Sequence, residues 1–375
     1  MRELNSKKLA RNIESRIGGD ISAGRVGGAL VSVVQHNKII YEGSFGSFTP
    51  GDNDELPMNT IFRIASMTKP VTAAAVLIEA SCGRLSLGDL VSDYLDGYRD
   101  LKIGKITDGK VTITGRQQTP IRIYHLLTHT SGIGSGDIGD LRWVMNDEQK
   151  SSMEGSVSFY STAPLGFDPY TAQAYAATAA FDAAAAIIEK TSDMPFDEYL
   201  KKELFEPLGM TDTTFSPNED QFKRLIDLHD LKDGESVRVP ILPGYVFADY
   251  PTSYTAAGAG LASTLDDYKR FAAMLLHGGQ GIIKPEYVEM MSSPQVPQLI
   301  MPGSQRWGLG VRVICDSSYR RLPAGFFGWS GAYGTHFWVD PADDLYAVYM
   351  KNSLYDGGSG AITAANFEED VERGF

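Results

Sequence analysis

The sequence predicts an α/β (α+β) fold in which strands from both ends of the chain build one antiparallel sheet flanked by helices. Two observations predict it: β-rich runs occur near both termini, and helical periodicity dominates the middle. A chain of 375 residues exceeds the roughly 250 to 300 residues at which one core stops growing, which indicates two parts. We therefore expect a sheet domain of residues 1–90 plus 256–375 and a mostly helical inserted region of residues 91–255. A cleft at their junction is the expected position of a functional site.

The two ends of the chain supply the predicted strands. After a polar leading helix, β-rich runs at 28–35 and 38–45 flank His36 and Asn37, which are typical of a hairpin turn. The C-terminal third has further runs and a final amphipathic helix. We expect them as strands at Gly308–Ile314, Thr335–Val339 and Leu345–Met350 and as a helix near Ile362–Val371.

Helical spacing marks the middle of the chain. Apolar residues recur at i, i+3, i+4 and i+7 in two segments, Val71/Ala74/Ala75/Ile78 and Phe181/Ala184/Ala185/Ile188. A third helix over 196–204 is expected to end before Pro207, because proline lacks the N–H that a helix interior needs. Long loops rich in Gly, Pro and Asp are expected at 97–120 and 231–255.

Composition excludes several classes of protein. There are 34 Lys and Arg against 47 Asp and Glu, a net charge of −13, and no basic run, which argues against a nucleic-acid partner. Apolar stretches such as Ala73–Ile78 are far shorter than the roughly 20 residues that span a bilayer. The N-terminus has no signal-peptide pattern, so a cytoplasmic protein is expected. The two cysteines belong to no metal or disulfide motif.

The sharpest local feature is a Ser-x-x-Lys tetrad formed by Ser66 and Lys69 where a helix is expected to start, followed by Pro70. Residues three apart project from the same face of a helix. A serine hydroxyl becomes a useful nucleophile when a base takes its proton, and a desolvated lysine is able to act in this way. The tetrad alone occurs often by chance, as an N-cap serine with a surface lysine.

Further segments of the sequence accompany the Ser-x-x-Lys tetrad. The segments 62–70, 125–132, 205–212 and 328–334 together resemble, in order, the serine β-lactamase-like family, which includes class C β-lactamases, family VIII carboxylesterases, D-aminopeptidases and statin acyltransferases. The resemblance runs from about residue 28 to about residue 352. It implies the β-lactamase/transpeptidase-like fold and a covalent acyl-enzyme on Ser66.

The resemblance also implies a second motif, Tyr-x-Asn, at the start of a helix. Tyr175 occupies that place and would act with Lys69 as the general base, whereas Tyr170 is the alternative and a buried core tyrosine is the structural reading. Ala177 stands where β-lactamases carry the asparagine that orients a β-lactam side chain. This departure weakens the penicillinase interpretation.

The third motif departs in a similar direction. Trp329, Ser330 and Gly331 stand where β-lactamases present Lys-Thr-Gly, and many family VIII esterases also carry Trp there. These three residues are candidates for substrate binding, although Trp329 alone is also explained as a core residue. The resemblance implies that the N–H of Ala332 joins that of Ser66 in an oxyanion hole. His336 is close enough in the chain to reach the cleft.

Other motifs point to no cofactor and no metal. The GxGxxG at 134–139 does not follow an apolar strand, and His125 and His129 lack the glutamate of a zinc helix, so both histidines are interpreted as structural. The chain has no GxSxG elbow.

The favoured function is therefore hydrolysis, or acyl transfer, of a small-molecule ester. The alternatives are a β-lactamase or D-amino-acid amidase or peptidase, and a catalytically silent ligand-binding relative. The sequence leaves the substrate and the oligomeric state open.

Overall fold

The computed structural model describes residues 1–49, 55–239, 254–319 and 321–375. Thirteen strands are present in these ranges. They are β1 (Gly28–Gln35), β2 (Lys38–Gly46), β3 (Ile61–Arg63), β4 (Lys102–Thr107), β5 (Lys110–Arg116), β6 (Leu228–Lys232), β7 (Glu235–Val239), β8 (Ala262–Thr264), β9 (Gln305–Trp307), β10 (Arg312–Ile314), β11 (Phe327–Ser330), β12 (His336–Asp340) and β13 (Leu345–Lys351).

Seven strands form the main antiparallel sheet, in the order β2-β1-β13-β12-β11-β10-β9. The last strand, β13, pairs with the first, β1, so that Val31 lies opposite Tyr349. The sheet is therefore built from both ends of the chain, which confirms the predicted fold class. The remaining strands form three two-stranded sheets, β3 with β8, β4 with β5 and β6 with β7.

Helices of different length connect and cover these strands. They are α1 (Ser6–Ser22), α2 (Thr68–Ser81), α3 (Ile123–Leu127), α4 (Asp147–Lys150), α5 (Met153–Tyr160), α6 (Ala179–Ser192), α7 (Phe196–Leu200), α8 (Glu206–Leu208), α9 (Glu219–Lys223), α10 (Leu265–Leu276), α11 (Pro285–Met291) and α12 (Ile362–Glu372). None of these helices in the described ranges is both long and apolar enough to cross a membrane.

The main sheet has a hydrophobic cluster on each face. On one face, α1 and α12 pack against the strands, with Ile13, Trp338 and Phe367 in the cluster. On the other face, Val71 of α2 and Phe337 of β12 belong to a larger cluster that continues into α6. Burial at roughly 25 cal/mol per Å² of apolar surface is the main term that holds these layers together. Because α2 and the inserted helix α6 share one core, the start of α2 is fixed between the sheet and the inserted region.

Three local predictions hold. His36 and Asn37 have φ values of 52° and 57°, as a two-residue turn with both central residues left-handed requires. The apolar spacings at 71–78 and 181–188 lie in α2 and α6. The final amphipathic segment is α12.

The predicted strand over 308–314 is wrong in its first half. Strand structure begins only at Arg312, and the preceding strand is β9. A Cβ on Gly308 would lie 1.9 Å from the carbonyl oxygen of Met291, and Gly310 has φ 76°. The chain therefore leaves the sheet at these glycines and passes close to neighbouring backbone, which the apolar pattern does not reveal.

The two predicted loops contain hairpins. Strands β4 and β5 lie within 97–120, and the hairpin of β6 and β7 begins at Leu228 and overlaps the start of 231–255, whose residues 240–253 fall outside the described part of the chain. Every residue of β5 is exposed, so the alternation that marks a half-buried strand is missing.

Pro207 does not end the third helix where expected. After α7, the segment Lys201–Phe205 continues as a π-helical turn, and Pro207 lies in the first turn of α8. Proline fits there because the N–H it lacks would have no intrahelical partner in a first turn.

Candidate active site

Ser66 lies at a sharp turn between β3 and α2. A short 3₁₀ turn spans Ala65–Met67, and Ala65 adopts the left-handed conformation with φ 44°. That conformation is unfavourable for a residue with a Cβ, and such strain persists mostly where the surrounding structure imposes it. The turn leaves Ser66 partly exposed while both of its neighbours are buried. Sequence reasoning missed this feature because alanine gives no signal for a positive φ.

Lys69 is buried at the start of α2, and its side-chain nitrogen has three acceptors. Nζ lies 2.6 Å from the carbonyl oxygen of Ala177, 2.7 Å from that of Gly258 and 3.4 Å from the hydroxyl oxygen of Ser66. The carbonyl oxygens can only accept, so they use two N–H bonds in either protonation state. The third position on the nitrogen, nearest Ser66, is an N–H in the ammonium and a lone pair in the amine. Lys69 is therefore placed to take a proton from Ser66 and to return it.

A glycine makes the carbonyl pair possible. A Cβ on Gly258 would lie 2.6 Å from the Ala177 carbonyl oxygen and 3.4 Å from Lys69 Nζ. Ala177, which stands where β-lactamases carry asparagine, thus contributes its backbone carbonyl to the site, and this contribution does not depend on its side chain.

Tyr175, not Tyr170, lies in the cleft with Ser66. The side chain of Tyr175 is 38% exposed, and Lys69 Nζ lies 4.7 Å from its ring centre. Tyr170 is not among the cleft residues; its hydroxyl donates to the carbonyl of Gln295 at 3.3 Å, and its ring stacks on His125 at 5.3 Å. The structure therefore brings the first-choice tyrosine to the serine and the lysine.

The ring of His129 packs against the ring of Tyr175. Its ring centre is 4.6 Å from that of Tyr175, and its Nδ1 accepts from the N–H of Ala176 at 3.0 Å. Burial first, and then the charge of Lys69, lower the pKa of His129 well below its usual value. A neutral ring fits a packing role, in agreement with the structural interpretation of this histidine.

The third motif approaches Ser66 through Gly331. A Cβ on Gly331 would lie 2.2 Å from Thr335 Oγ1 and 2.3 Å from the carbonyl oxygen of Ile64, so only glycine lets the two segments come this close. Ala332 follows immediately and lines the cleft with Ser66. Within the described ranges, the N–H groups of Ser66 and Ala332 donate to no other protein atom. Two free donors are thus available at the cleft.

The cleft has a volume of about 480 Å³ and a largely aromatic wall. Trp329 is 8% exposed, and its ring centre lies 4.5 Å from that of Trp307 and 5.6 Å from that of Tyr175. The described lining residues are Ser66, Gln173, Tyr175, Met301, Gln305, Trp307, Arg312, Trp329, Ser330, Ala332, Gly358 and Ser359. Sequence reasoning missed Gln173, Met301, Gln305, Trp307, Arg312, Gly358 and Ser359, which come from a sheet edge and loops and share no spacing.

The structure does not support the predicted contact between His336 and a substrate. The residue lies opposite Ser330 in the sheet register, so both side chains project to the same face, and His336 is 1% exposed. Its Nδ1 lies 2.8 Å from Ser330 Oγ and its Nε2 lies 3.1 Å from Glu368 Oε1 on α12. His336 is therefore behind Ser330 and not in the cleft. In the described part of the chain, no three His, Cys, Asp or Glu residues form a group that could hold a metal ion.

Known proteins share this architecture. A family model described as Beta-lactamase matches residues 9–369. The protein MT1414 of Mycobacterium tuberculosis is 30% identical over 91% of this chain and 90% of its own length, and esterase EstB of Burkholderia gladioli is 27% identical over 96% and 95%. The solved structure of EstCE1, described as a hydrolase with promiscuous acyltransferase activity, has a TM-score of 0.82 and 23% identity and covers 98% of this chain and 99% of its own. Since the family model spans almost the whole sequence, the chain belongs to the Beta-lactamase family, a family of hydrolases with this fold.

Proposed function

We propose that the protein is a carboxylesterase or acyltransferase that acts on small acyl esters through a covalent intermediate on Ser66. The observation that carries the proposal is the position of Lys69 Nζ, 3.4 Å from the Ser66 hydroxyl oxygen and held there by two carbonyl groups. A serine needs such a base within reach to act as a nucleophile. The esterase EstB, similar over nearly its whole length, supports the choice of substrate.

In the first half of the proposed reaction, Ser66 Oγ attacks the ester carbonyl carbon and its proton passes to Lys69. The negative charge that develops on the carbonyl oxygen is stabilised by the N–H groups of Ser66 and Ala332. Tyr175, which shares the cleft, then delivers a proton to the departing alkoxide, so that an alcohol leaves and an acyl-enzyme remains.

The second half reverses these roles. Water or a second alcohol attacks the acyl carbon, its proton is taken up by the Tyr175 phenolate left by the first half, and the bond between the acyl carbon and Ser66 Oγ breaks. Ser66 recovers its proton from Lys69. Water yields a carboxylic acid, and an alcohol yields a new ester.

The aromatic wall supports esters with small apolar groups. Tyr175, Trp307 and Trp329 present ring faces and edges to the cleft, and burial of an apolar group against them is favourable. Trp329 replaces the lysine that would pair with a substrate carboxylate in the β-lactamases that the sequence resembles. One observation favours a second candidate, a β-lactam or D-amino-acid amide: Arg312, a cation, also lines the cleft.

The decisive measurement is intact mass after incubation with a fluorophosphonate and, separately, with a penicillin. We expect one phosphonate adduct on the wild type, none on Ser66→Ala, and an adduct on Ser22→Ala, which changes an exposed serine outside the cleft. Slow or absent addition of penicillin supports the ester, whereas rapid turnover of penicillin identifies the second candidate. Inertness to both reagents would leave a ligand-binding protein in place of an enzyme.

A further inference from the structure

A buried chain of hydrogen bonds leads from the cleft to the far side of the sheet. Ser330 lines the cleft, and its Oγ lies 2.8 Å from His336 Nδ1. His336 Nε2 lies 3.1 Å from Glu368 Oε1. Ser330, His336 and Glu368 are 3%, 1% and 1% exposed, so water does not compete for these bonds. The mechanism above uses none of the three side chains.

Glu368 is surrounded by donors. Arg312 Nη2 lies 2.8 Å from Oε1, and Arg321 Nε and the Tyr319 hydroxyl lie 3.0 Å and 2.8 Å from Oε2. Burial alone would raise the pKa of the Glu368 carboxyl, but the hydrogen bond from His336 and the charge and hydrogen bond of Arg312 outweigh it and hold that pKa below its usual range. Glu368 is therefore a carboxylate, and a carboxylate only accepts.

The carboxylate fixes the tautomer of His336. Because Glu368 only accepts, Nε2 carries the proton of the imidazole. Burial lowers the pKa of His336, which favours the neutral ring, so Nδ1 has a lone pair. That lone pair accepts the O–H of Ser330. Ser330 has one hydroxyl proton, and this proton points away from the cleft.

We infer that Ser330 is a specificity residue that presents only hydrogen-bond acceptors to the substrate, because His336 and Glu368 hold its proton on the opposite side. Such an oxygen binds a hydroxyl or an amide N–H and repels a carboxylate. This inference rests on the proposed function and narrows it to acyl esters that carry a donor, such as hydroxyacyl esters. Arg312, the charged residue among the described cleft residues, donates to Glu368, and this bond limits its use for a substrate carboxylate.

The tautomer is measured without any substrate. In ¹⁵N-labelled protein, the ring signals of His336 are assigned by their loss in His336→Asn, and the two ring nitrogens are distinguished by their chemical shifts and couplings. We expect a proton on Nε2 and none on Nδ1 at neutral pH. A proton on Nδ1, held by Ser330 Oγ or by the nearby Trp329 carbonyl, would overturn the inference whatever the activity.

The specificity is measured with matched p-nitrophenyl esters of butyric acid, of hydroxybutyric acids with the hydroxyl at each position, and of succinic acid. We expect the best hydroxylated ester to have a kcat/KM about tenfold above butyrate, the worth of one buried hydrogen bond, and the succinate ester to fall below butyrate. In Ser330→Ala the hydroxyl preference should fall to about one, and Ser330→Thr, which keeps the hydroxyl, should restore it. Ser22→Ala is the control with an unchanged ratio. A preference for succinate, or a hydroxyl preference that survives in Ser330→Ala, would overturn the inference.

If the protein is not an esterase, the inference about Ser330 is still tested, by binding instead of turnover. If no ester is turned over, the same comparison is made as binding of butanamide and the hydroxybutanamides, followed through the His336 ring signals. Equal affinities would then overturn the inference as well, whereas tighter binding of a hydroxybutanamide would support it in a protein that is not an esterase.

Discussion

The side-chain nitrogen of Lys69 lies over the face of the Tyr175 ring, 4.7 Å from its centre. When Lys69 holds the proton taken from Ser66, its charge is attracted by the ring quadrupole, and this attraction adds to the three hydrogen bonds that Lys69 makes. Those bonds go to Ser66, Ala177 and Gly258, so the phenol hydroxyl of Tyr175 is not one of the acceptors of Lys69.

Tyr175→Phe should keep the ring and lose the proton transfer. We expect kcat for a short-chain p-nitrophenyl ester to fall by about 10² or more, in the range of general acid–base contributions. The matched control is Tyr170→Phe, which removes only the 3.3 Å bond to Gln295 and should stay near wild type. If Tyr170→Phe were inactive and Tyr175→Phe active, Tyr170 and not Tyr175 would be the tyrosine of the second motif.

Lys69→Ala should lower kcat by about 10² to 10⁴, because Ser66 loses its base. Lys202→Ala, on an exposed side chain, is the control with unchanged turnover. Circular dichroism and thermal unfolding check that the fold of Lys69→Ala is retained, since the substitution leaves two buried carbonyl groups without a donor. Full activity in a folded Lys69→Ala would rule out Lys69 as the base.

Gly331→Ala should impair the site through its backbone. The added Cβ would lie 2.3 Å from the Ile64 carbonyl oxygen, so the segment that carries Ala332 has to move away from Ser66. We expect kcat to fall by about 10² to 10³, as when one oxyanion donor is lost. Gly360→Ala is the matched control, because no atom lies within 4 Å of its added Cβ. Equal activities of the two variants would show that the close approach at Gly331 does not serve catalysis.

Trp329→Lys tests whether residue 329 determines which class of substrate the protein accepts. For the wild type we expect kcat/KM for a short acyl ester to exceed that for a chromogenic cephalosporin. The new cation should improve carboxylate-bearing substrates by about 1.5 to 3 kcal/mol, the worth of a charged hydrogen bond, and lower the rate with apolar esters because a ring is lost from the wall. If the wild type has a lower kcat/KM for the ester than for the cephalosporin, the β-lactamase alternative is favoured. If Trp329→Lys does not improve the recognition of carboxylate-bearing substrates, residue 329 does not face the ligand.

The pH dependence of stability should carry a contribution from Asp182. This carboxyl of α6 is fully buried, and burial raises its pKa to about 6, although hydrogen bonds from Tyr254, Ser156 and Ala257 oppose the shift. Because the folded state holds the proton more tightly than the unfolded state, this group stabilises the fold most at low pH. Its contribution declines as pH rises from about 4 to about 6.

Asp182→Asn removes this titration. A difference of about 2 between the two pKa values corresponds to about 3 kcal/mol, so wild type should lose about that much relative to Asp182→Asn between pH 4 and pH 7. Urea unfolding of both proteins at each pH measures the change. A difference between the two proteins that does not vary with pH would contradict the assignment.

Short sequence patterns predicted those parts of the site whose residues lie close together in the chain. The Ser-x-x-Lys spacing predicted that Ser66 and Lys69 lie close together, although Ser66 is in the 3₁₀ turn just before α2, and the resemblance of ordered segments predicted the places of Tyr175 and Trp329. The position of His336 was not predictable in this way, because it depends on strand parity. Trp329 lies opposite Phe337 and faces the α2 side of the sheet, whereas Ser330 lies opposite His336 and faces α12.

Residues at the cleft rim were missed for another reason. Trp307 lies in the three-residue strand β9 and Arg312 at the start of β10, and neither strand is long enough to show a period. Their roles follow from which strand forms the edge of the sheet, and that order is a property of the whole chain.

The contact at Gly331 also has a consequence for how the protein folds. Thr335 Oγ1 donates to the Ile64 carbonyl across a sequence separation of 271 residues, and β11 is connected to β1 in the main sheet through β12 and β13. Contacts between such distant segments require a costly loop closure and form late. Nearby sequence forms the short turn that carries Ser66 and the helix that carries Lys69, whereas the position of the Ala332 N–H depends on the pairing of the C-terminal strands with β1. We therefore expect Ser66 to lack this second donor in a partly folded chain until the main sheet has closed.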